Sequence, residues 1–143
     1  MNLAFFSCLF MLRRNETYYE NIEDLSGLSK NHPVLSLSLL IILFSLAGIP
    51  PLAGFFAKFY VFMAVIEKSM YFLAIVGLVS TVIAAFYYLR IIKIIYFDPE
   101  KESYENNHGF GLKITLAVST ILILIYFIYP SGLTNIVSKI NII

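Results

Sequence analysis

The sequence predicts an all-α membrane protein, a polytopic transmembrane helix bundle in which one helix is broken. Three observations carry this. Of the 143 residues, 59% are hydrophobic and only 13% charged, where a soluble domain has about a quarter charged residues. The charges gather in short polar blocks at 13–33, 67–68 and 90–113, with long apolar runs between them, which is the pattern of several membrane spans rather than one globular core. One of those runs is too long for a bilayer and carries its own interruption, Pro50-Pro51.

The same composition excludes several classes of function. Cys8 is the one cysteine, so an internal disulfide is ruled out, and with two separated histidines no metal site is expected. A net charge of +1 gives no footing for nucleic acid. The chain has no GxGxxG, no GxxxxGK[ST] and no His-Glu-x-x-His, so nothing points to a soluble active site.

Residues 1–12, MNLAFFSCLFML, make a helix of about 18 Å at about 1.5 Å per residue, too short for a hydrocarbon core of about 30 Å. Arg13-Arg14 follow this stretch and no basic residue precedes it, the reverse of a signal peptide. It reads as a partial helix, with the chain starting inside a span; a short interfacial helix is the alternative. Residues 13–33 form a polar loop. Within it Asn21, with Asp24 three positions on, is a loose capping box. Ile22, Leu25 and Leu28 share one side, which predicts a short amphipathic helix at the membrane surface, weakened by Gly27.

Val34 to Ile66 as one straight helix would be roughly 50 Å long. Prolines lack a donor and clash with the preceding turn, and Gly48 and Gly54 flank Pro50 and Pro51. The prediction is a broken transmembrane helix over 34–66: a half-helix to about Gly48, an irregular linker at Ile49–Ala53 and a second half-helix to Ile66. Irregular backbone at membrane depth requires burial in protein or a wet cavity, a device of transporters. A complete span over 34–49 followed by a re-entrant loop is the rival.

After the polar turn Glu67-Lys68-Ser69, residues 70–97 form the next span. Ala74, Gly77, Thr81, Ala84 and Tyr88 recur at helical spacing and make one face of mostly small residues, suited to close helix packing. Residues 98–110 are a hydrophilic loop, and 111–129 the last span, ended by Pro130-Ser131-Gly132. Arg13, Arg14, Lys30, Arg90, Lys93, Lys101 and Lys113 fall on one side, against Lys68 and Lys139 on the other. This places loops 13–33 and 98–110 on the cytoplasmic or matrix side and the carboxyl terminus opposite.

Lys58 is the residue that function must explain. It lies about 13.5 Å from Glu67 along the helix, near mid-bilayer, where a charge costs several kcal/mol. Such a lysine needs partners or sheds its proton, since low dielectric disfavours the charged form. A lysine that titrates reversibly beside an unwound, hydrated turn is a proton carrier. The bland alternative is a structural lysine paired with a carboxylate. No Asp or Glu lies in any apolar run, so an acidic partner would come from another chain.

The run EDLSGLSKNHP, then SLAGIPPLAGFFAKFYVF, then AAFYYLRIIKIIYF resembles the subunit N family of proton-translocating, antiporter-like membrane subunits of NADH:quinone oxidoreductase, respiratory complex I. The resemblance implies a partial antiporter-like fold with Lys58 on the carboxyl-terminal broken helix, in the outward proton half-channel. It implies residence in the bacterial inner or mitochondrial inner membrane. Other complex I membrane subunits, and a companion chain supplying the missing amino-terminal part, would be its partners. Quinone, FMN and Fe–S clusters would belong to other subunits, with no cofactor on this chain. A cation/proton antiporter fragment and a non-titrating structural bundle are the alternatives.

Overall fold

A computed structural model of the chain describes residues 1–14, 17, 18, 21–99 and 110–128. The tail after Ile128, with Pro130-Ser131-Gly132 and Lys139, lies outside the described residues, as does most of the loop expected over 98–110. The helices are α1 (Asn2–Met11), the single turn α2 (Leu28–Asn31), α3 (Pro33–Ala47), α4 (Ala53–Glu67), α5 (Tyr71–Phe97) and α6 (Phe110–Ile128). Among the described residues, the strands are two residues long: Arg13–Arg14 pairs antiparallel with Thr17–Tyr18.

The bundle is built around α3. Pro33 opens this helix, where its missing N–H costs nothing and its fixed φ is already helical. Leu39, Ile42 and Leu43 are fully buried, with Ala4 and Cys8 of α1 and Ile95 of α5, and Leu116 and Ile123 of α6 join the same core. α3 packs against α1, α5 and α6. The amino-terminal half of α5 and the outer side of α4 are unlike this. Phe72, Val79, Val82, Val61 and Tyr60 are all exposed.

The amphipathic helix expected before α3 is two short pieces instead. A 3₁₀ turn covers Ile22–Leu25, and Gly27, with φ of 69°, separates it from α2. The Asn21 side chain makes no capping bond; its carbonyl accepts the Asp24 N–H at 3.1 Å. The reason lies in the docking of this segment. Gly27 N–H donates to the Ile94 carbonyl at 3.3 Å and Ser26 Oγ to the Pro99 carbonyl at 2.6 Å, pinning it to the carboxyl-terminal end of α5. Leu25 and Leu28 are buried there, whereas Ile22 stays exposed.

Among the described residues, α5 is the one helix long and apolar enough to cross a membrane by itself. α3 and α4 have 15 residues each, about 22 Å apiece, and only the two together reach bilayer thickness. Several hydroxyls return to their own helix: Ser38 to Val34, Thr81 to Gly77, Thr115 to Gly111 and Thr120 to Leu116. Ser36 Oγ, fully buried, makes no hydrogen bond, and nothing in the packing explains it.

Candidate functional site: the helix break and its lysine

The break occupies residues 48–52, between α3 and α4. A helix leaves its last four carbonyls without intrahelical partners; for α3 these belong to Phe44, Ser45, Leu46 and Ala47. Gly48 takes a left-handed conformation, φ 86° and ψ 32°, which a residue with a Cβ adopts at a cost. The Ile49 N–H then reaches the Phe44 carbonyl and the Gly48 N–H the Ser45 carbonyl, both at 3.1 Å. This is the Schellman closure of a helix. It satisfies two of the four carbonyls and leaves those of Leu46 and Ala47.

Lys58 takes both. Its Nζ donates to the Leu46 carbonyl at 2.9 Å and to the Ala47 carbonyl at 3.0 Å. The ammonium therefore sits at the negative end of the α3 dipole in two charge-assisted hydrogen bonds. Its stem lies across Gly48, where an added Cβ would come within 3.0 Å of Lys58 Cδ and 3.3 Å of Nζ. Pro50 and Pro51, joined by a cis peptide, form the exposed crest of the break.

A second attachment precedes the lysine. The N–H of Gly54 donates to Ser45 Oγ at 3.1 Å. Gly54 is buried and so close to α3 that a Cβ there would overlap the Ser45 carbonyl. Gly48, Gly54 and Lys58 are thus brought together around the end of α3, while the prolines shape the turn from outside.

Lys58 is half-buried rather than enclosed, because α4 presents it to an open cleft between α4 and α5. The cleft has a volume of about 370 Å³ and is lined by Phe59, Phe62, Met63, Leu78 and Thr81 besides Lys58. An ammonium has three donors; two go to the carbonyls. Phe55 stacks on Phe59 with ring centres 5.9 Å apart, walling one side of the lysine.

The face of α5 singled out by its spacing is divided in the structure. Ala74 is buried; Gly77, Thr81, Ala84 and Tyr88 are partly buried on a helix whose other positions over 71–89 are exposed, Ala85 apart. Gly77 lies under the Phe62 ring of α4, and Thr81 lines the cleft. Three participants escaped the sequence reading: the carbonyls of Leu46 and Ala47, and Ser45. The signal for the carbonyls was Gly48 itself, since a glycine at that position fixes which two remain unpaired. Ser45 gave only a weak one, because a serine in a helix usually bonds back to its own turn.

A broken apolar helix, rejoined across the break by hydrogen bonds from a lysine in its second half, defines a membrane helix bundle of the antiporter-like class. Residues 1–84 match the family described as NADH:quinone oxidoreductase/Mrp antiporter, TM, and the chain belongs to that family. Within it, the chain is 78% identical over all 143 residues to NADH-quinone oxidoreductase subunit N of Pelagibacter ubique. It is 47% identical over 133 residues to subunit N of Parvibaculum lavamentivorans. The chain spans about 30% of the length of the first of these and 28% of the second. A solved structure of respiratory complex I from Thermus thermophilus, with bound aureothin, contains a chain of the same fold. The TM-score is 0.74 at 26% identity, covering 90% of this chain and 30% of that one.

Proposed function

We propose that this chain supplies the lysine-bearing broken helix of a proton-translocating subunit of NADH:quinone oxidoreductase, and that Lys58 gains and loses a proton during turnover. The observation that carries the reading is the seat of the ammonium on the Leu46 and Ala47 carbonyls at the break. Half-helix ends and unwound carbonyls are where membrane transporters hold coupling cations; here the cation is the protein's own and can be discharged in place. The cleft beside it gives one N–H a way out of the helix pair.

In this reading the subunit lies in an inner membrane, with the 22–31 segment and the end of α5 on the cytoplasmic or matrix side. It works beside other membrane subunits and the remaining length of subunit N. Quinone, FMN and Fe–S chemistry belongs to neighbours, and the chain holds no redox group of its own.

The test is proton uptake per NADH oxidised, in vesicles whose complex I contains this chain. Lys58→Arg keeps a charge and donors for the two carbonyls but cannot release its proton. Lys58→Ala removes both. Pumping lost in each, with Lys58→Arg assembling normally, is the expected result. Pumping kept in Lys58→Arg would leave the lysine as a helix cap and end the carrier reading.

A further inference from the structure

We propose that Ser45 is the positioning residue that determines where Lys58 lands. This rests on the reading of Lys58 as the proton carrier. Ser45 is fully buried. Its hydroxyl proton goes to Met1 Sδ at 2.9 Å, leaving the oxygen free to accept the Gly54 N–H at 3.1 Å. That N–H is one of the unpaired donors at the start of α4. Leu52 holds the N-cap position and has no side chain that can serve it. A serine of α3 therefore does from across the break what an N-cap side chain does locally.

The consequence is register. Gly54 and Lys58 are four residues apart and lie on one face of α4. Ser45, Leu46 and Ala47 are consecutive. Ser45 to Gly54, then Leu46 and Ala47 to Lys58, are successive rungs between the two half-helices. The first rung joins one short side chain to backbone and has little play. The second hangs on the flexible stem of a lysine. Only the first can fix the distance between the helices tightly enough for the amine to meet two carbonyls rather than one. The close approach of Gly54 to the Ser45 carbonyl shows that the two backbones are in tight contact at this rung.

Ser45→Ala removes the oxygen and adds no bulk, so the helix still packs. In vesicles, and per assembled complex, it is expected to lower proton uptake per NADH oxidised about fivefold, the factor carried by one buried hydrogen bond. Ser45→Thr, which keeps the hydroxyl, is expected to restore at least half of it. Ser45→Ala pumping at the normal ratio overturns the inference. So does a loss explained wholly by lower assembly, or an assembled Ser45→Thr as defective as Ser45→Ala. The two proposals separate cleanly. Normal pumping in Ser45→Ala beside a dead Lys58→Arg ends only the present inference, whereas normal pumping in Lys58→Arg ends the carrier reading itself.

Discussion

α3 and α4 are each 15 residues of apolar sequence and end in the same turn, yet they do opposite things. After α3, Gly48 takes the left-handed conformation and Ile49 N–H returns to Phe44. After α4, Ser69 takes it, with φ of 58°, and Met70 N–H returns to Val65 at 3.1 Å. Each closure leaves two carbonyls over. At the end of α4 these belong to Glu67 and Lys68, which are exposed in a polar turn, where water can serve them. At the end of α3 no polar side chain follows, and the lysine is brought in. The difference teaches why a charge stands in so apolar a run: identical backbone chemistry needs it in one solvent and not in the other.

Burial divides the pair as well. α3 buries Leu35, Leu39, Ile42 and Leu43 among others; α4 buries Gly54 alone. The fold thus rests on one half, and the lysine is carried by the other. Gly54 is where the halves meet, so Gly54→Ala should be the most damaging single change. The new methyl would overlap the Ser45 backbone carbonyl, and backbone cannot swing aside as a side chain does. A loss of about 3 kcal/mol, the upper end for overpacking, is expected as a lowered thermal inactivation midpoint of the assembled complex. A wild-type midpoint would show that the halves are not held in contact.

Leu39→Ala tests the supporting half and ranks second. Leu39 is fully buried, and in water truncating such a leucine costs about 2–5 kcal/mol. In a bilayer the lipid tails are as apolar as leucine, so the transfer part largely cancels and the cavity part remains. About 2 kcal/mol is expected, read as the same midpoint, with pumping per assembled complex unchanged. A selective loss of pumping would mean that α3 is more than a support.

The fold class and the break were legible because they depend on composition and on proline, both of which act locally. The all-helical bundle follows from apolar runs separated by polar blocks, and the interruption from Pro50-Pro51. What the sequence could not display was the partner of Lys58. Side chains alone point to a carboxylate, whereas the acceptors are backbone carbonyls, which every residue carries and no composition reveals. The split of the 22–31 segment was hidden for a similar reason: its shape is dictated by hydrogen bonds to Ile94 and Pro99, some seventy positions away in the chain. Lys58 itself is less enclosed than a mid-membrane charge suggests, because α4 has few neighbours of its own chain.

Gly48 and Ser69 hold equivalent places, so exchanging their character sharpens the comparison. Gly48→Ala puts a Cβ into the left-handed region, at about 1 kcal/mol, and presses it against the lysine stem. Ser69→Gly relieves the same strain at the other end and should stabilise by about 0.5–1 kcal/mol. The first should lower both the inactivation midpoint and pumping; the second should raise the midpoint and leave pumping alone. If Gly48→Ala lowered the midpoint without touching pumping, the stem would have found another path to the carbonyls.

The smallest effect belongs to the contact between α4 and α5. A Cβ on Gly77 would come within 2.8 Å of Phe62 Cε1, which is the far edge of a ring beside an open cleft. The ring can turn into that space, and alanine is the better helix former by about 1 kcal/mol, so the two terms nearly cancel. Gly77→Ala should therefore move the inactivation midpoint very little, in contrast to Gly54→Ala, although both glycines look equally suited to close packing in the sequence. The cleft gives the reason: at Gly54 the neighbour is backbone with nowhere to go, and at Gly77 it is a side chain with room. Gly77→Ala as harmful as Gly54→Ala would mean that the cleft is filled in the assembled complex and Phe62 is held in place.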